Sequence, residues 1–384
     1  MLRICVALVL ALLLLGMTEY APPRKKALAA DPLKPKRFDK PVWHPDARWQ
    51  LDPQPYAFDT NIRAHLDGPR HEAFAVHAIF PDLHAGFTGG GRYAFLTYDS
   101  TLDRFHAATS GATGYLDGPF SRARFYIDDY HTCRHERASS PDKRFYYLLA
   151  DFYRQRIRVL DFQRQWVHTL PVPGVAFACG ESGKVYVVHR SDKDGGRADT
   201  ITILSPGPEW KTLRTVRLNP SEQEVQVSGL GTSVAVDEKN ERLYATTYRA
   251  WPWYVWYWDL KDGSLHGVLP NCSKKPTARR SGEAGPFEGT VLYNHGEISW
   301  GPDDPDKRFL YLTRVDDNNF YRLDLQRQII AVFSVKQGRF VEQGQGDGSP
   351  LYMYPPAWLP DGSFVGHVPW YNPAPHYKLF RRIQ

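Results

Sequence analysis

The fold is decided by one sequence block that occurs twice. Its first copy reads PDKRFYYL at residues 141–148 and LDFQRQ at 160–165, and its second reads PDKRFLYL at 305–312 and LDLQRQ at 323–328. The two copies start 164 residues apart, a distance that fits three units of about 55 residues each. Because both halves recur in the same order, they indicate a structural repeat and not a chance match.

The repeated unit has a consistent shape. A turn sequence precedes a short run of β-branched and aromatic residues, a pattern typical of a turn followed by a strand. The runs are RYAFL at 92–96, RFYYL at 144–148, KVYVV at 184–188, RLYAT at 242–246, RFLYL at 308–312 and the weaker SFVGH at 363–367. Six such units predict an all-β fold, a six-bladed β-propeller, because a four-stranded blade takes roughly 40–50 residues.

One unit resembles a known family. LDGPFSRARF at residues 116–125 is similar to the opening of an NHL-type propeller repeat, and YLLAD at 147–151 with RIRVLD at 156–161 is similar to its second half. Shorter echoes of the opening are LDGP at 66–69 and AGPF at 284–287. The resemblance implies an NHL-repeat-like six-bladed β-propeller, distantly similar to the senescence marker and gluconolactonase-like propellers. It supports the fold more than the function, because propellers host many unrelated activities.

Composition excludes several classes of protein. Hydrophobic residues make up 42% and aromatic residues 14% of the 384 residues, which excludes a disordered chain. Four cysteines are too few for a disulfide scaffold. A mean hydropathy of -0.48 excludes a membrane protein with several spans.

Residues 1–29 read as a secretory signal peptide. Arg3 precedes an apolar run at residues 4–17, which is shorter than the roughly 20 residues of a membrane-spanning helix. The sequence ALA at 27–29 offers a cleavage site. The alternatives are cleavage nearer Gly16 or Thr18, and retention as a short anchor. Export predicts a secreted or periplasmic protein without a stable membrane span after cleavage.

Removal of this leader changes the charge of the chain. The formal charge falls from +6 to +3, because residues 1–29 hold four basic side chains and one acidic one. A mature charge near +3 argues against nucleic acid as a partner, since such binding needs many phosphate contacts.

The remainder of the chain divides into two parts. Residues 30–60 are rich in proline and form an expected N-terminal arm, and residues 61–384 form the single propeller. The last strand, at residues 377–380, is expected to pair with a strand near residues 60–66 and so close the ring. The protein is expected to be a monomer.

Polar side chains on the innermost strands would face a central channel. The candidate catalytic residues are His77, His131 and His295, because a histidine can act as acid and base near neutral pH. The candidate metal ligands, for Ca²⁺ or Zn²⁺, are His77, His295 and Glu297. The alternative is that these groups only line the channel and bond to water or backbone.

These candidates leave two functions open. The first is an exported ligand-binding module that holds a glycan or a protein at the mouth of its channel. The alternative is a metal-dependent lactonase or lyase with its site in the same channel. The resemblance brings in two precedents for this second function: gluconolactonase-like propellers hold a divalent metal, and amidating lyases hold a zinc ion through histidine.

The octapeptide WPWYVWYW at residues 251–258 is unusually aromatic. Trp251, Trp253, Tyr254 and Trp256 are candidate binding residues, because aromatic rings offer a stacking surface to sugars or proteins. The alternative is a strand packed between two blades, which would make both of its faces aromatic without any ligand.

Cys133 and Cys179 fall late in the predicted inner strands of neighbouring blades. This placement allows a disulfide between them in an oxidising compartment. Cys272 is then unpaired or lies in a loop.

Overall fold

A computed structural model describes 21 stretches of the chain. They are residues 47–51, 76–80, 85–88, 95–99, 104–107, 114–124, 132–136, 145–151, 156–161, 164–190, 198–219, 233–246, 253–270, 283–288, 296–301, 304, 306–314, 319–345, 352–358, 362–368 and 376–383. The chain separates into two compact units, Met1–Lys36 and Arg37–Gln384. All described residues belong to the second unit.

The first three sheets follow one another along the chain. Sheet 1 holds β2 (Val76–Phe80), β3 (Ala85–Thr88), β4 (Phe95–Asp99) and β5 (Arg104–Ala107). Sheet 2 holds β6 (Gly118–Pro119), β7 (Thr132–Glu136), β8 (Phe145–Asp151), β9 (Arg156–Asp161) and β10 (Trp166–Thr169). Sheet 3 holds β11 (Ala176–Cys179), β12 (Val185–Arg190), β13 (Ala198–Leu204) and β14 (Thr212–Arg217).

Three further sheets complete the described strands. Sheet 4 holds β15 (Ser233–Asp237), β16 (Arg242–Thr246), β17 (Trp253–Asp259) and β18 (Leu265–Pro270). Sheet 5 holds β19 (Glu283–Pro286), β20 (Gly296–Trp300), β21 (Phe309–Arg314), β22 (Phe320–Asp324), β23 (Ile329–Ser334), β24 (Arg339–Val341) and β25 (Gly344–Gln345). Sheet 6 holds β26 (Tyr352–Trp358), β27 (Phe364–Val368), β28 (His376–Arg382) and, from the start of the chain, β1 (Trp49–Leu51).

Within each sheet, four strands that follow one another in sequence pair antiparallel as a meander, except in sheet 6, where β1 supplies the fourth strand. The strands form because short runs of valine, isoleucine, tyrosine and tryptophan lie between tight turns. These sheets confirm the predicted all-β class. Among the described residues no helix is long and apolar enough to cross a membrane.

Consecutive sheets share their hydrophobic cores. Four clusters of buried side chains join sheets 2 and 3, sheets 3 and 4, sheets 4 and 5, and sheets 5 and 6. The first strands of these sheets also contact one another in order, β7 with β11, β11 with β15, β15 with β20, and β20 with β26. Successive four-stranded meanders whose first strands adjoin are the arrangement of a propeller-like fold.

The two copies of the repeated block have the same local structure. Gly118 and Pro119 of β6 pair with β10, the fourth strand of the meander in sheet 2. Gly285 and Pro286 of β19 pair in the same way with β23, the fourth strand of the meander in sheet 5. The GP echoes in the sequence therefore mark one recurring contact, in which a short segment covers the edge of a meander.

The turn after the Leu160–Asp161 pair and the turn after the Leu323–Asp324 pair (the two LD pairs) also have the same conformation. Gln165 and Gln328 both adopt a positive φ, 51° and 52°. Each glutamine carbonyl accepts a hydrogen bond of 2.8 Å, from the backbone N–H of Phe120 in sheet 2 and of Phe287 in sheet 5. The repeat deduced from the sequence is thus a repeat of backbone conformation and hydrogen bonding.

The last sheet is completed by a strand from the N-terminal part of the chain. Trp49 pairs with Arg382 and Leu51 with Phe380. The structure therefore puts the strand that pairs with β28 inside the proline-rich arm, earlier in the chain than the predicted region at 60–66. Burial explains this choice, because the Trp49 side chain, 6% exposed, fills the core between sheets 5 and 6.

Candidate functional site

Most predicted site residues fall outside the part of the chain that the structure describes. His131, His295 and Trp251 are not among the described residues. His77, Glu297 and Trp253 belong to the described strands β2, β20 and β17, but their side chains lie outside the description. The catalytic and metal-binding predictions therefore stay predictions.

Two residues of the aromatic octapeptide can be placed. Tyr254 is 3% and Trp256 0% exposed, and both belong to β17. Trp256 packs in the core between sheets 3 and 4, and Tyr254 in the core between sheets 4 and 5. Side chains buried in this way do not offer a stacking surface to a ligand. Their burial is what the alternative, a strand packed between two blades, requires.

Ion pairs connect the turns that follow the first strands of sheets 3, 4 and 5. Lys307 Nζ lies 2.5 Å from Glu181 Oε1, and Lys239 Nζ lies 3.0 Å from Asp306 Oδ1. Glu181 belongs to sheet 3 and Lys307 to sheet 5, so their ion pair reaches past the turn of sheet 4. The Lys307 ammonium also lies 5.9 Å from the centre of the Trp300 ring.

Glu238, which directly precedes Lys239, connects sheet 4 to sheet 3 by hydrogen bonds. Its carboxylate accepts hydrogen bonds from Ser182 N at 2.7 Å, Ser182 Oγ at 2.6 Å and Tyr186 Oη at 2.8 Å. Burial and the Glu238 charge raise the pKa of Tyr186 above its ordinary value. Gly180 makes room for this contact, because a Cβ there would lie 2.2 Å from Glu238 Oε1.

A cavity of about 630 Å³ lies on sheet 5, away from its first strand. It is lined by the start of β21, by β22, by the turns on either side of β23, and by β24 with the two residues that follow it. The lining residues include four arginines and two carboxylates: Arg308, Arg322, Arg327, Arg339, Asp324 and Glu342. The side chains that line the cavity therefore carry a formal excess of two positive charges.

The carboxylates hold two of the arginines in fixed geometry. Arg308 donates to both oxygens of Asp324, at 3.0 and 2.6 Å, and Arg327 donates to both oxygens of Glu342, at 2.7 and 3.0 Å. The hydrogen bond to Asp324 raises the pKa of Arg308. Burial acts to raise the pKa of Asp324, but the bonds from Arg308 and the following turn hold it below its ordinary value.

Arg322 lies between two aromatic rings. Its guanidinium carbon is 4.9 Å from the ring centre of Phe309 and 5.1 Å from that of Phe340. The residue is 6% exposed, and burial lowers the pKa of its guanidinium from the usual value, although an arginine stays charged at neutral pH. One nitrogen lies 3.8 Å from Glu342 Oε1. Two π faces and a nearby carboxylate together offset the cost of burying this charge.

Sequence reasoning did not find this cavity. Arg308 and Arg327 belong to the repeated block, which indicated the fold. A usable signal was the difference between the two copies: aligning LDFQRQ with LDLQRQ puts Val159 opposite Arg322. Val159 is fully buried in the core between sheets 2 and 3. Because the other copy has a valine at this position, the fold itself does not require a charge there.

Metal and disulfide predictions are tested only in part. Among the described side chains, no three or more histidines, cysteines, aspartates or glutamates group as metal ligands would. Cys179 is disulfide-bonded. The side chains of the other three cysteines lie outside the description, so the pairing with Cys133 stays a prediction.

Comparison with known proteins gives no family. No protein-family model matches the chain, and no curated protein matches it. The NHL-type resemblance therefore also stays a prediction.

Several solved structures have a similar arrangement of strands. TolB from Acinetobacter baumannii has 13% identity and a TM-score of 0.40, over 76% of this chain and 60% of that one. An auxiliary nutrient binding protein from Bacteroides thetaiotaomicron VPI-5482 has 10% identity and a TM-score of 0.45, over 80% and 68%. An oligogalacturonate lyase in complex with manganese has 11% identity and a TM-score of 0.42, over 89% and 99%. At these values the similarities indicate neither a family nor an activity.

Proposed function

We propose that this chain is an exported, NHL-repeat-like six-bladed β-propeller that binds a ligand, a glycan or a protein, at one mouth of its central channel. In this proposal the six sheets are the six blades, and β1 completes the last of them. The contacts between successive first strands support this arrangement, because those strands are the ones that line the channel of a propeller.

The ion pair of Lys307 with Glu181 is the observation from which we choose between the two ends of the channel. It joins the turns of sheets 3 and 5, at the end where the first strands finish. The Lys239–Asp306 pair joins sheets 4 and 5 at the same end. Charged side chains that bridge between turns obstruct that end, so we place the ligand at the opposite one.

The opposite end is the one at which the first strands begin. By their positions in the sequence, the predicted site residues lie near the starts of these strands. His77 is the second residue of β2, His131 directly precedes β7, and His295 directly precedes β20. In an antiparallel meander the third strand begins at the same end as the first. Trp253, the first residue of β17, therefore belongs to this end as well.

Binding of the mature protein to an array of neutral and acidic glycans, with a pull-down for protein ligands, tests this proposal. We expect the double variant His77→Ala with His295→Ala to lose the ligand. The matched control is His266→Ala, because β18 begins at the turn end and His266 is exposed there. Absence of any ligand in both assays, or equal loss in the control, would overturn the proposal.

Metal analysis of the same protein separates binding from the enzymatic alternative. A stoichiometric Ca²⁺ or Zn²⁺ that disappears on His77→Ala with His295→Ala would favour the metal-dependent lactonase or lyase. The Glu297→Gln variant should then weaken metal retention too. A folded protein that retains ligand binding without bound metal would favour the binding module.

A further inference from the structure

We propose that the cavity of sheet 5 is a second binding site, which takes a saccharide unit that carries a carboxylate. The site lies on β22, β24, the start of β21 and the turns on either side of β23, while the channel mouth of the proposed function is formed by first strands. The inference therefore does not rest on the proposed function.

The charge of the lining favours an anionic ligand. Four arginines and two carboxylates line the cavity, and each carboxylate already accepts two hydrogen bonds from one arginine. The lining keeps a formal excess of two positive charges after both pairs are formed. An anionic ligand would balance that excess, and the planar guanidinium matches a carboxylate with two parallel hydrogen bonds.

Arg322 is a buried charge at a position where the fold does not need one. The equivalent residue of the other repeat copy, Val159, is apolar and fully buried, so the strand does not need a charge there. Arg322 is instead held between Phe309 and Phe340 beside the Glu342 carboxylate. A costly buried cation that is fixed in orientation is typical of a preorganised anion site.

One arginine of the cavity is accessible to a ligand. Arg339 is exposed and uses Nε to donate to Gln337 Oε1 at 3.1 Å. Its two terminal nitrogens make no hydrogen bond among the described residues. They can therefore donate two parallel hydrogen bonds to a ligand.

Size and chemistry select the ligand class. A volume of about 630 Å³ falls within the range of small-molecule sites and exceeds what an inorganic oxyanion fills. Gln337 and Gln343 add amide groups that both donate and accept hydrogen bonds. Arg322 lies against Phe309 and Phe340, and apart from Val341 the rest of the lining is polar. A hydroxyl-rich acid fits such a lining better than an apolar carboxylic acid does.

Calorimetric titration of the full chain tests the site. The probes are glucuronate and its short oligomers, with glucose, inorganic sulfate and hexaglutamate as comparison ligands. We expect the glucuronate probes to bind and glucose not to bind. Binding of sulfate alone, or of hexaglutamate in preference to glucuronate, would overturn the saccharide assignment.

Variants locate the site. Arg339→Gln and Arg322→Val should each weaken glucuronate binding about tenfold or more, because each removes a charged donor. The control Arg164→Gln removes the same charge from the turn of sheet 2 that corresponds to Arg327, and should change binding less than about twofold. If Arg322→Val fails to fold, the exposed Arg339 still decides the matter.

The result is distinguishable from the test of the proposed function. The double variant at His77 and His295 should leave glucuronate binding unchanged. No binding of glucuronate or its oligomers up to about 10 mM, or binding that survives both arginine substitutions, would overturn the inference.

Discussion

Lys307 forms an ion pair with Glu181, although the two residues belong to sheets that are separated by a third. Consecutive sheets pack through their apolar faces, whereas this contact reaches past sheet 4 from one turn to another. The turns that follow the first strands of sheets 3 and 5 thus approach one another closely. The Lys307 side chain is only 11% exposed, while that of Glu181 is 75% exposed.

A double-mutant cycle measures this contact. Glu181→Gln and Lys307→Met should show a coupling free energy of about 0.2–1 kcal/mol, a value that is small because the glutamate is solvated. Denaturant unfolding in low and high salt provides the measurement, and the coupling should fall as salt increases. A coupling of zero at low salt would show that the two turns do not meet in solution.

Trp49 anchors β1 to sheets 5 and 6. Its backbone N–H donates to Gly338 O at 2.7 Å, its indole N–H donates to Gly362 O at 2.8 Å, and its ring contacts Phe333 and Phe364 edge-on. Trp49→Ala should lower the free energy of unfolding by about 3–5 kcal/mol, because it leaves a cavity in the core.

The neighbouring Gln50 is the control for Trp49, since it is exposed on the same strand. Gln50→Ala should change the free energy of unfolding by less than about 0.5 kcal/mol. Chemical denaturation of both variants gives the comparison. Equal stabilities would contradict the anchoring role of the indole ring.

Tyr186 should make stability depend on alkaline pH. Its folded-state pKa is raised by burial and by the Glu238 charge, while a tyrosine in the unfolded chain titrates near pH 10. The associated stabilisation is therefore complete below about pH 10 and is lost as the pH rises above that value, where the unfolded chain releases its proton first.

Unfolding at pH 8 and at pH 11 tests this dependence. The unaltered protein should lose more stability between the two values than Tyr186→Phe does, because phenylalanine cannot ionise. Other tyrosines contribute equally to both proteins and cancel in the difference. An identical loss in the two proteins would contradict the raised pKa.

The disulfide of Cys179 should be formed with Cys133. The strand β7, which contains Cys133, contacts β11, which ends at Cys179. Peptide mapping without reduction should yield one linked peptide pair that contains these two residues. Reduction should destabilise the protein by about 2–4 kcal/mol. A linkage of Cys179 to Cys272 would contradict the assignment.

The repeat could be read from the sequence, because its determinants are local. The LD pair, the following turn and the GP segment are each a few residues long, and both copies adopt the same turn and the same edge contact. The all-β class follows from the same short-range patterns of strand and turn residues. The aromatic octapeptide was ambiguous, since both faces of its strand are aromatic and only packing decides whether they meet solvent or core.

Sequence by itself therefore determined the strands, their turns and the repeat. Tertiary structure decided which strand completes sheet 6, because Trp49 finds its pocket only where sheets 5 and 6 meet. It also decided where charge collects: Arg308, Arg322 and Arg339 are spread over 32 residues of sequence, yet they line one cavity. Strand formation depends on neighbours along the chain, whereas burial and electrostatics depend on neighbours in space, which sequence spacing does not specify.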